Sequence, residues 1–238
     1  MLATPDPLAP LRHYNTPTIA NAIELFDLRP RNRGFLKPGW RVLQPGMAPL
    51  AGYASTCIIS GEGPDSYGKK ESFDYWEHIE SIPGPRIAVV KDIDPQPGSA
   101  CFWGEVNASV HMALGCVATV TDGAVRDLDE MKSLRFQAAY RATCVSHGYV
   151  HIVDFNKPVL LDGELISPGD LLQIDQHGVL IIPPAVLPQL QEAIYEVERR
   201  ERPVIEYCQS GRASRAGLVD MVKKHLRITT KWAPTPRY

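Results

Sequence analysis

Prolines and glycines, 21 and 18 of the 238 residues, interrupt this chain at short intervals. Because these residues form turns and end helices, their number favours many short elements over a helical bundle. The first half alternates strand-like and helix-like segments, such as the amphipathic spacing of Phe73, Trp76 and Ile79 before the apolar run at 86–92. The second half is mostly β-like up to Pro183. The sequence therefore predicts an α/β fold, a layered sandwich with mixed sheets.

Composition and charge exclude several classes of protein. A hydrophobic content of 44% supports a buried core, and a net charge of −2 gives no positive excess for nucleic acid or an anionic membrane. The five cysteines include no C-x-x-C pair, which argues against a disulfide scaffold or a zinc ribbon. The first residues lack a signal-peptide pattern, and no apolar run is long enough to span a bilayer. We expect a cytoplasmic protein that binds neither nucleic acid nor a membrane.

Two local patterns resemble ligand sites without completing them. The loop 63–70 nearly spells the phosphate-binding G-x-x-x-x-G-K-[ST], but Lys70 occupies the hydroxyl position and Pro64 removes a backbone amide. Cys144, His147 and His151 are residue types that ligate zinc, but a turn at His147 interrupts their common segment. We interpret the first pattern as a surface loop and the second as structural polar residues.

The segment 104–127 is the strongest candidate for a site. Gly104 and Glu105 open a helix directly after a short strand, so free backbone N–H groups and the positive end of the helix dipole converge there. The next strand is predicted to end at Asp122–Gly123, just before Arg126 and Asp127. Because neighbouring parallel strands end at one edge of a sheet, these charged residues are expected to share a pocket.

That pocket would combine two carboxylates suited to a hard cation, Glu105 and Asp127, with the Arg126 guanidinium, which suits an oxyanion. An alternative is that Arg126 and Asp127 form only a local cap or salt bridge. The spacing alone does not decide between the two.

The same residues resemble a known family. Residues 103–108 (W-G-E-V-N-A) and the run G-x-V-A-T-V-T-D-G-A-V-R-D ending at Asp127 are similar to the hallmark region of the regulators of ribonuclease E activity A (RraA) and the 4-hydroxy-4-methyl-2-oxoglutarate aldolases. The similarity extends over about residues 14–203. It implies one RraA-like domain over 1–238 with a C-terminal arm at 204–238, and an α/β/β/α sandwich of the swivelling-domain type.

The resemblance also implies roles for individual residues. In the aldolases of this family the Arg of the motif contacts substrate oxygens and the next Asp ligates magnesium or manganese, roles that map onto Arg126 and Asp127. Glu105 matches an acidic position that orients metal-bound water, with Glu in place of Asp. The substrate-binding backbone that holds a pyruvyl carboxylate would be that of Gly104, Glu105, Val106 and Asn107.

Two further positions are similar to family residues. The family's site is completed by a Glu from the C-terminal helix of a neighbouring subunit, and Glu201 is at the corresponding distance, with Glu198 close to it. Arg141 matches a family Arg that follows the motif, and no catalytic role is assigned to it.

The implied activity is that of a divalent-metal-dependent lyase, with Mg²⁺ or Mn²⁺ as cofactor. It would cleave a 4-hydroxy-2-oxo acid by a retro-aldol reaction that releases pyruvate, decarboxylate oxaloacetate, or do both, with Arg126, Glu105 and Asp127 as catalytic residues. The resemblance implies a homotrimer or hexamer. Two alternatives stay open: a non-catalytic protein that binds and regulates a ribonuclease, and a sugar-acid dehydratase that uses the same metal site.

Overall fold

The computed structural model describes residues 8–226 and Trp232. These residues belong to two compact units. The sheet unit comprises residues 11–16 and 32–182, and the helical unit comprises the described residues up to Pro10, residues 17–31, and those from Pro183 onward. The single domain over 1–238 stays a prediction.

The strands that the structure describes all lie in the sheet unit: β1 (Arg41–Val42), β2 (Leu50–Ser60), β3 (Arg86–Asp92), β4 (Cys101–Trp103), β5 (Cys116–Val125), β6 (Gln137–Thr143), β7 (His151–Phe155), β8 (Val159–Leu161), β9 (Glu164–Ile166), β10 (Leu171–Asp175) and β11 (Gly178–Ile182). The helices are α1 (Ala9–His13), α2 (Thr16–Glu24), α3 (Ser72–Ser81), α4 (Glu105–Ala113), α5 (Leu128–Ser133), α6 (Leu190–Gln209) and α7 (Arg215–His225), with a 3₁₀ helix at Pro184–Gln189.

One mixed sheet organises the sheet unit. Its strand order is β1-β6-β5-β3-β2-β10-β11, in which β2, β3, β5 and β6 are parallel neighbours. β10 and β7 pair antiparallel with the two halves of β2, β1 pairs antiparallel with β6, and β8 and β9 form a separate hairpin. This mixed α/β arrangement confirms the predicted fold class.

The core of the sheet unit covers both faces of the sheet, and β3 shows why. Ile87 and Val89 belong to one buried cluster, while Ala88 and Val90 belong to the other. A central parallel strand is apolar on both faces because both faces are covered, which explains the continuous apolar run in the sequence. The first face packs against the β8–β9 hairpin, and the second packs against α3, α4 and α5.

β5 differs from its prediction and does not end at Asp122–Gly123. The strand continues to Val125, with a register shift between Thr121 and Ala124 against β6. The Asp122 carboxylate accepts hydrogen bonds from the Lys91 ammonium and, at 2.9 Å, from the backbone N–H of Asp92. The irregularity lets β5 change its neighbour from β3 to β4 without ending, so the expected strand end was wrong.

The helical unit contains a 3₁₀ turn at Pro184–Gln189 followed directly by α6. α6 buries Leu190, Ile194 and Val197 and continues to Gln209. The expected start of a C-terminal arm at 204 therefore falls within α6. None of the helices that the structure describes is long and apolar enough to cross a lipid bilayer.

Burial of His111 on α4 implies a pH-dependent stability. Its ring lies 4.5 Å from that of Trp103, Nδ1 is 2.7 Å from the carbonyl oxygen of Asn107, and burial lowers the pKa of the imidazole from 6.5 to about 4. The unfolded chain therefore binds the proton more tightly. Stability from the neutral ring is complete above pH 6.5 and is lost as the pH falls towards 4, a change of about 3 kcal/mol in the free energy of unfolding.

Denaturant unfolding of the wild type and two variants between pH 7 and pH 4 measures this effect. His111→Gln should flatten the pH dependence relative to the wild type, because it removes the buried titrating ring. His147→Gln, at an exposed histidine, should not. Parallel pH profiles for His111→Gln and the wild type would contradict the assignment.

Candidate functional site

The candidate site lies where β4 and β5 end side by side. The two strands are parallel, with Cys101 opposite Ala124 and Trp103 opposite Val125. The backbone N–H of Arg126 then donates to the Trp103 carbonyl at 3.0 Å. The turns that follow the two strands are therefore neighbours, which is the adjacency that the sequence predicted.

Asp127 links these two turns through its side chain. Its backbone is left-handed (φ +51°) at the start of α5, a conformation that Asp tolerates better than most residues, and its side chain makes no cap on α5. Instead, Oδ2 accepts a hydrogen bond from the backbone N–H of Glu105 at 3.0 Å. Since Gly104 at the N-cap has no side chain, the Asp127 carboxylate takes that place at the positive end of α4.

Gly104 is required by space and not by backbone conformation. Its φ of −163° and ψ of −172° are extended values that any residue adopts. A Cβ there would lie 2.6 Å from Asp127 Oδ2 and 3.2 Å from Arg126 Nε. The turn into α4 thus approaches the Arg-Asp pair more closely than any side chain would allow.

The charged side chains are accessible to a ligand. Arg126 Nε lies 3.9 Å from Asp127 Oδ2, a long ion pair, and each of the two side chains is 36% exposed. Within the described part of the chain, neither the Arg126 guanidinium nor the Glu105 carboxylate forms a hydrogen bond. The sequence left open that Arg126 and Asp127 form only a local cap or a salt bridge. The Asp127 side chain does not cap α5, and the salt bridge leaves both side chains partly exposed.

An open recess of about 440 Å³ adjoins this pair. Besides Arg126 and Asp127, its lining includes Thr143 and Cys144, which the sequence did not place beside them. β6 runs parallel to β5 with Thr143 opposite Val125, so its end reaches the same edge. The parallel pairing of β5 with β6 is the feature from which Thr143 and Cys144 could have been placed beside Arg126 and Asp127.

The remaining predicted substrate-binding residues lie in the first turn of α4. Glu105 and Val106 are exposed, and Val106 and Asn107 have backbone amides without an intrahelical acceptor. The Asn107 side chain donates instead to the Phe102 carbonyl at the end of β4. Glu105 joins the site through its amide, and its side chain is not among those that line the recess.

Glu201 and Arg141 lie elsewhere. Glu201, on α6 in the helical unit, accepts a hydrogen bond from Asn21 Nδ2 at 3.4 Å, and its contribution to a neighbouring subunit's site stays a prediction. Arg141 donates to both oxygens of Asp162 at 2.6 and 2.7 Å and lies over the Trp40 ring. These contacts give Arg141 a structural role.

The zinc-like pattern is not assembled. The ring nitrogens of His151 lie 2.8 and 2.9 Å from the carbonyl oxygens of Tyr149 and Ser66, so both are already engaged. Cys144 Sγ donates to the carbonyls of Ser99 and Ser146. Among the residues that the structure describes, no group of three or more His, Cys, Asp or Glu is arranged to hold a metal ion.

A magnesium or manganese ion needs less than such a group. Mg²⁺ keeps several waters and is often bound through one or two carboxylates. Asp127 Oδ1 has no hydrogen-bond partner among the described residues, and the Glu105 carboxylate is exposed on the adjoining turn. The donor chemistry of these two side chains fits a hard divalent cation.

Comparison with known proteins establishes the class to which the chain belongs. The model of the RraA-like family, described as aldolase/RraA, matches residues 16–181. The chain is a member of the RraA-like family. This confirms the resemblance found in the sequence.

Several individual relatives are similar over part of the chain. A Halalkalibacterium halodurans protein, named provisionally as a 4-hydroxy-4-methyl-2-oxoglutarate aldolase, is 31% identical over 152 residues, which are 57% of this chain and 72% of that protein. An uncharacterized protein of Methanocaldococcus jannaschii is 29% identical over 105 residues, and DlpA of Legionella pneumophila is 28% identical over 109. Each of these last two matches covers 44% of this chain, and the chain spans 50% of the archaeal protein and 17% of DlpA.

Solved structures show the same fold. An uncharacterized protein from Pseudomonas syringae superposes with a TM-score of 0.69 at 22% identity, covering 94% of this chain and 100% of that one. RraAS2 of Streptomyces coelicolor, described as an unusual member of the RNase ES inhibitor RraA family, gives 0.64 at 21% identity, covering 85% and 98%. At these identities the likeness concerns the fold alone.

The close approach at Gly104 can be tested by adding a single methyl group. In Gly104→Ala the new Cβ would lie 2.6 Å from Asp127 Oδ2, so the carboxylate or the turn must move. We expect the free energy of unfolding to fall by about 1–3 kcal/mol. Gly46→Ala is the matched control, because a Cβ there meets nothing within 4 Å, and it should change stability by less than about 0.5 kcal/mol. Equal unfolding curves for the two variants would contradict the crowding.

Proposed function

We propose that the protein is a divalent-metal-dependent lyase that cleaves a 4-hydroxy-2-oxo acid with release of pyruvate, decarboxylates oxaloacetate, or does both. The observation that carries this proposal is the contact of Asp127 Oδ2 with the Glu105 amide, beside a half-exposed Arg126. It brings an anion-binding helix start, a guanidinium and a carboxylate to one edge of the sheet. Membership of a family that includes aldolases, and the name of the H. halodurans relative, support the reaction class.

Asp127 would hold the metal directly, with Glu105 acting through water and Glu201 of a neighbouring subunit as a further carboxylate. Magnesium or manganese bound there supplies Lewis-acid polarisation of the 2-oxo group. A homotrimer or hexamer, which would bring Glu201 from another subunit, belongs to the same proposal.

The chain's own residues would provide binding and proton transfer. Amides of the first turn of α4, at Val106 and Asn107, bind the substrate carboxylate at the positive end of the helix. The Arg126 guanidinium binds the oxygen that becomes negative when the C3–C4 bond breaks. Through an ordered water, the Glu105 carboxylate would take the proton of the C4 hydroxyl, and a proton returned to C3 would complete pyruvate.

Pyruvate release from oxaloacetate and from a panel of 4-hydroxy-2-oxo acids tests the proposal, with metal-only blanks because divalent ions themselves promote decarboxylation. We expect activity with Mg²⁺ or Mn²⁺, and its loss on chelation. Asp127→Ala should lower kcat/KM by about 100-fold or more, because it removes the direct metal ligand. The control is Asp129→Ala, which removes the same charge from an exposed side chain paired with Lys132, and it should retain activity.

Full activity in Asp127→Ala, or no turnover of any substrate in the panel, would overturn the lyase. Loss of water from a sugar acid without pyruvate would favour the dehydratase alternative instead. A stable complex with a ribonuclease, formed by a protein without turnover, would favour the regulatory alternative.

A further inference from the structure

A second cavity, of about 460 Å³, is lined in part by the first turn of α4, at Asn107. We call it the cationic cavity and define it by Lys69, Lys70, Trp76, Phe102, His151 and Tyr149, which line it together with Asn107. None of these residues lines the recess at Arg126 and Asp127. The volume is in the range of small-molecule sites.

The lining of this cavity carries positive charge. Among the described residues that line it, there is no acidic side chain. Lys69 and Lys70 are exposed, and neither ammonium forms an ion pair within 4 Å in the described part of the chain. Asp154, on the neighbouring β7, is bonded to Lys157 and lies within electrostatic range of Lys70. Two lysines that line an open cavity whose lining has no carboxylate are suited to an organic anion.

His151 fixes one wall of the cavity. Its two ring nitrogens lie 2.8 and 2.9 Å from the carbonyl oxygens of Tyr149 and Ser66. The backbone N–H of Lys70 also donates to the Ile152 carbonyl at 2.8 Å, which ties the loop 63–70 to β7. This loop is thereby held against the cavity.

The remaining wall is aromatic. Trp76 and Phe102 are partly buried and pack against the core cluster beneath, so their rings have fixed positions. Tyr149 is exposed at the rim. Planar apolar surfaces next to ammonium groups suit a ligand that has a ring as well as a negative charge, because the ring removes apolar area from water while the charge pairs with lysine.

We propose that the cationic cavity binds a small ring-bearing carboxylate, whose negative charge pairs with Lys69 and Lys70 and whose ring lies against Trp76 and Phe102.

Binding is tested without any turnover. Phenylacetate and its neutral analogue phenylacetamide are titrated into the full chain, and binding is followed by calorimetry and by tryptophan fluorescence. The variant Trp76→Phe shows whether a change in fluorescence comes from Trp76. We expect phenylacetate to bind at least about tenfold more tightly, the worth of one partly desolvated charge pair. Lys69→Met/Lys70→Met should abolish the difference. Lys223→Met/Lys224→Met, an adjacent exposed pair on α7, removes the same charge and should retain it.

Equal binding of phenylacetate and phenylacetamide, or a difference in affinity that persists in Lys69→Met/Lys70→Met, would overturn the cavity's role.

Discussion

The hydrogen bond from the Glu105 amide to the Asp127 carboxylate is the constraint on which the site depends. It joins the two turns that follow β4 and β5 and gives α4 the cap that Gly104 lacks. The same carboxylate lies near Arg126, and one of its oxygens has no hydrogen-bond partner among the described residues. One side chain therefore combines a structural role at a helix start with a position suited to a metal ligand, so its removal would affect both.

The sheet supplies the geometry that makes this contact. A register shift within β5 lets one strand lie beside β3 in its first part and beside β4 in its last. Without the shift, β5 would stay beside β3, and Gly104 would not reach Arg126 and Asp127. The buried centre of the sheet and the exposed site are thus connected by a single long strand whose two parts have different neighbours.

Much of the fold and of the arrangement around Gly104 was predictable from the sequence, because these features depend on local patterns. The apolar run of β3, the small residues around Gly104 and the Arg126–Asp127 motif predicted the mixed fold and the adjacency of the two turns. The extension of β5 was not predictable, since Asp122 and Gly123 have the residue types of a turn, and the hydrogen-bond donors to Asp122, the Lys91 side chain and the Asp92 backbone, lie on another strand. The positions of Thr143 beside β5 and of the loop 63–70 beside β7 depend on pairing between segments distant in sequence, which no local pattern records. The cap that Asp127 gives to α4, a helix other than its own, depends on such long-range pairing as well.

The short length of β4 has a consequence for the order in which parts of the molecule open. β4 has three residues and pairs with β5 alone, whereas β3 is enclosed by long strands on both sides. The other backbone bonds of β4 among the described residues are local contacts to turns, from the Cys101 N–H to the Ser146 carbonyl, from the Arg126 N–H to the Trp103 carbonyl and from the Asn107 side chain to the Phe102 carbonyl. Local opening reactions begin where few backbone bonds are lost, so β4 can detach at a lower free energy than global unfolding requires. Detachment would separate Gly104 from Arg126 while the centre of the sheet stays folded. The molecule can therefore lose its site and keep its fold.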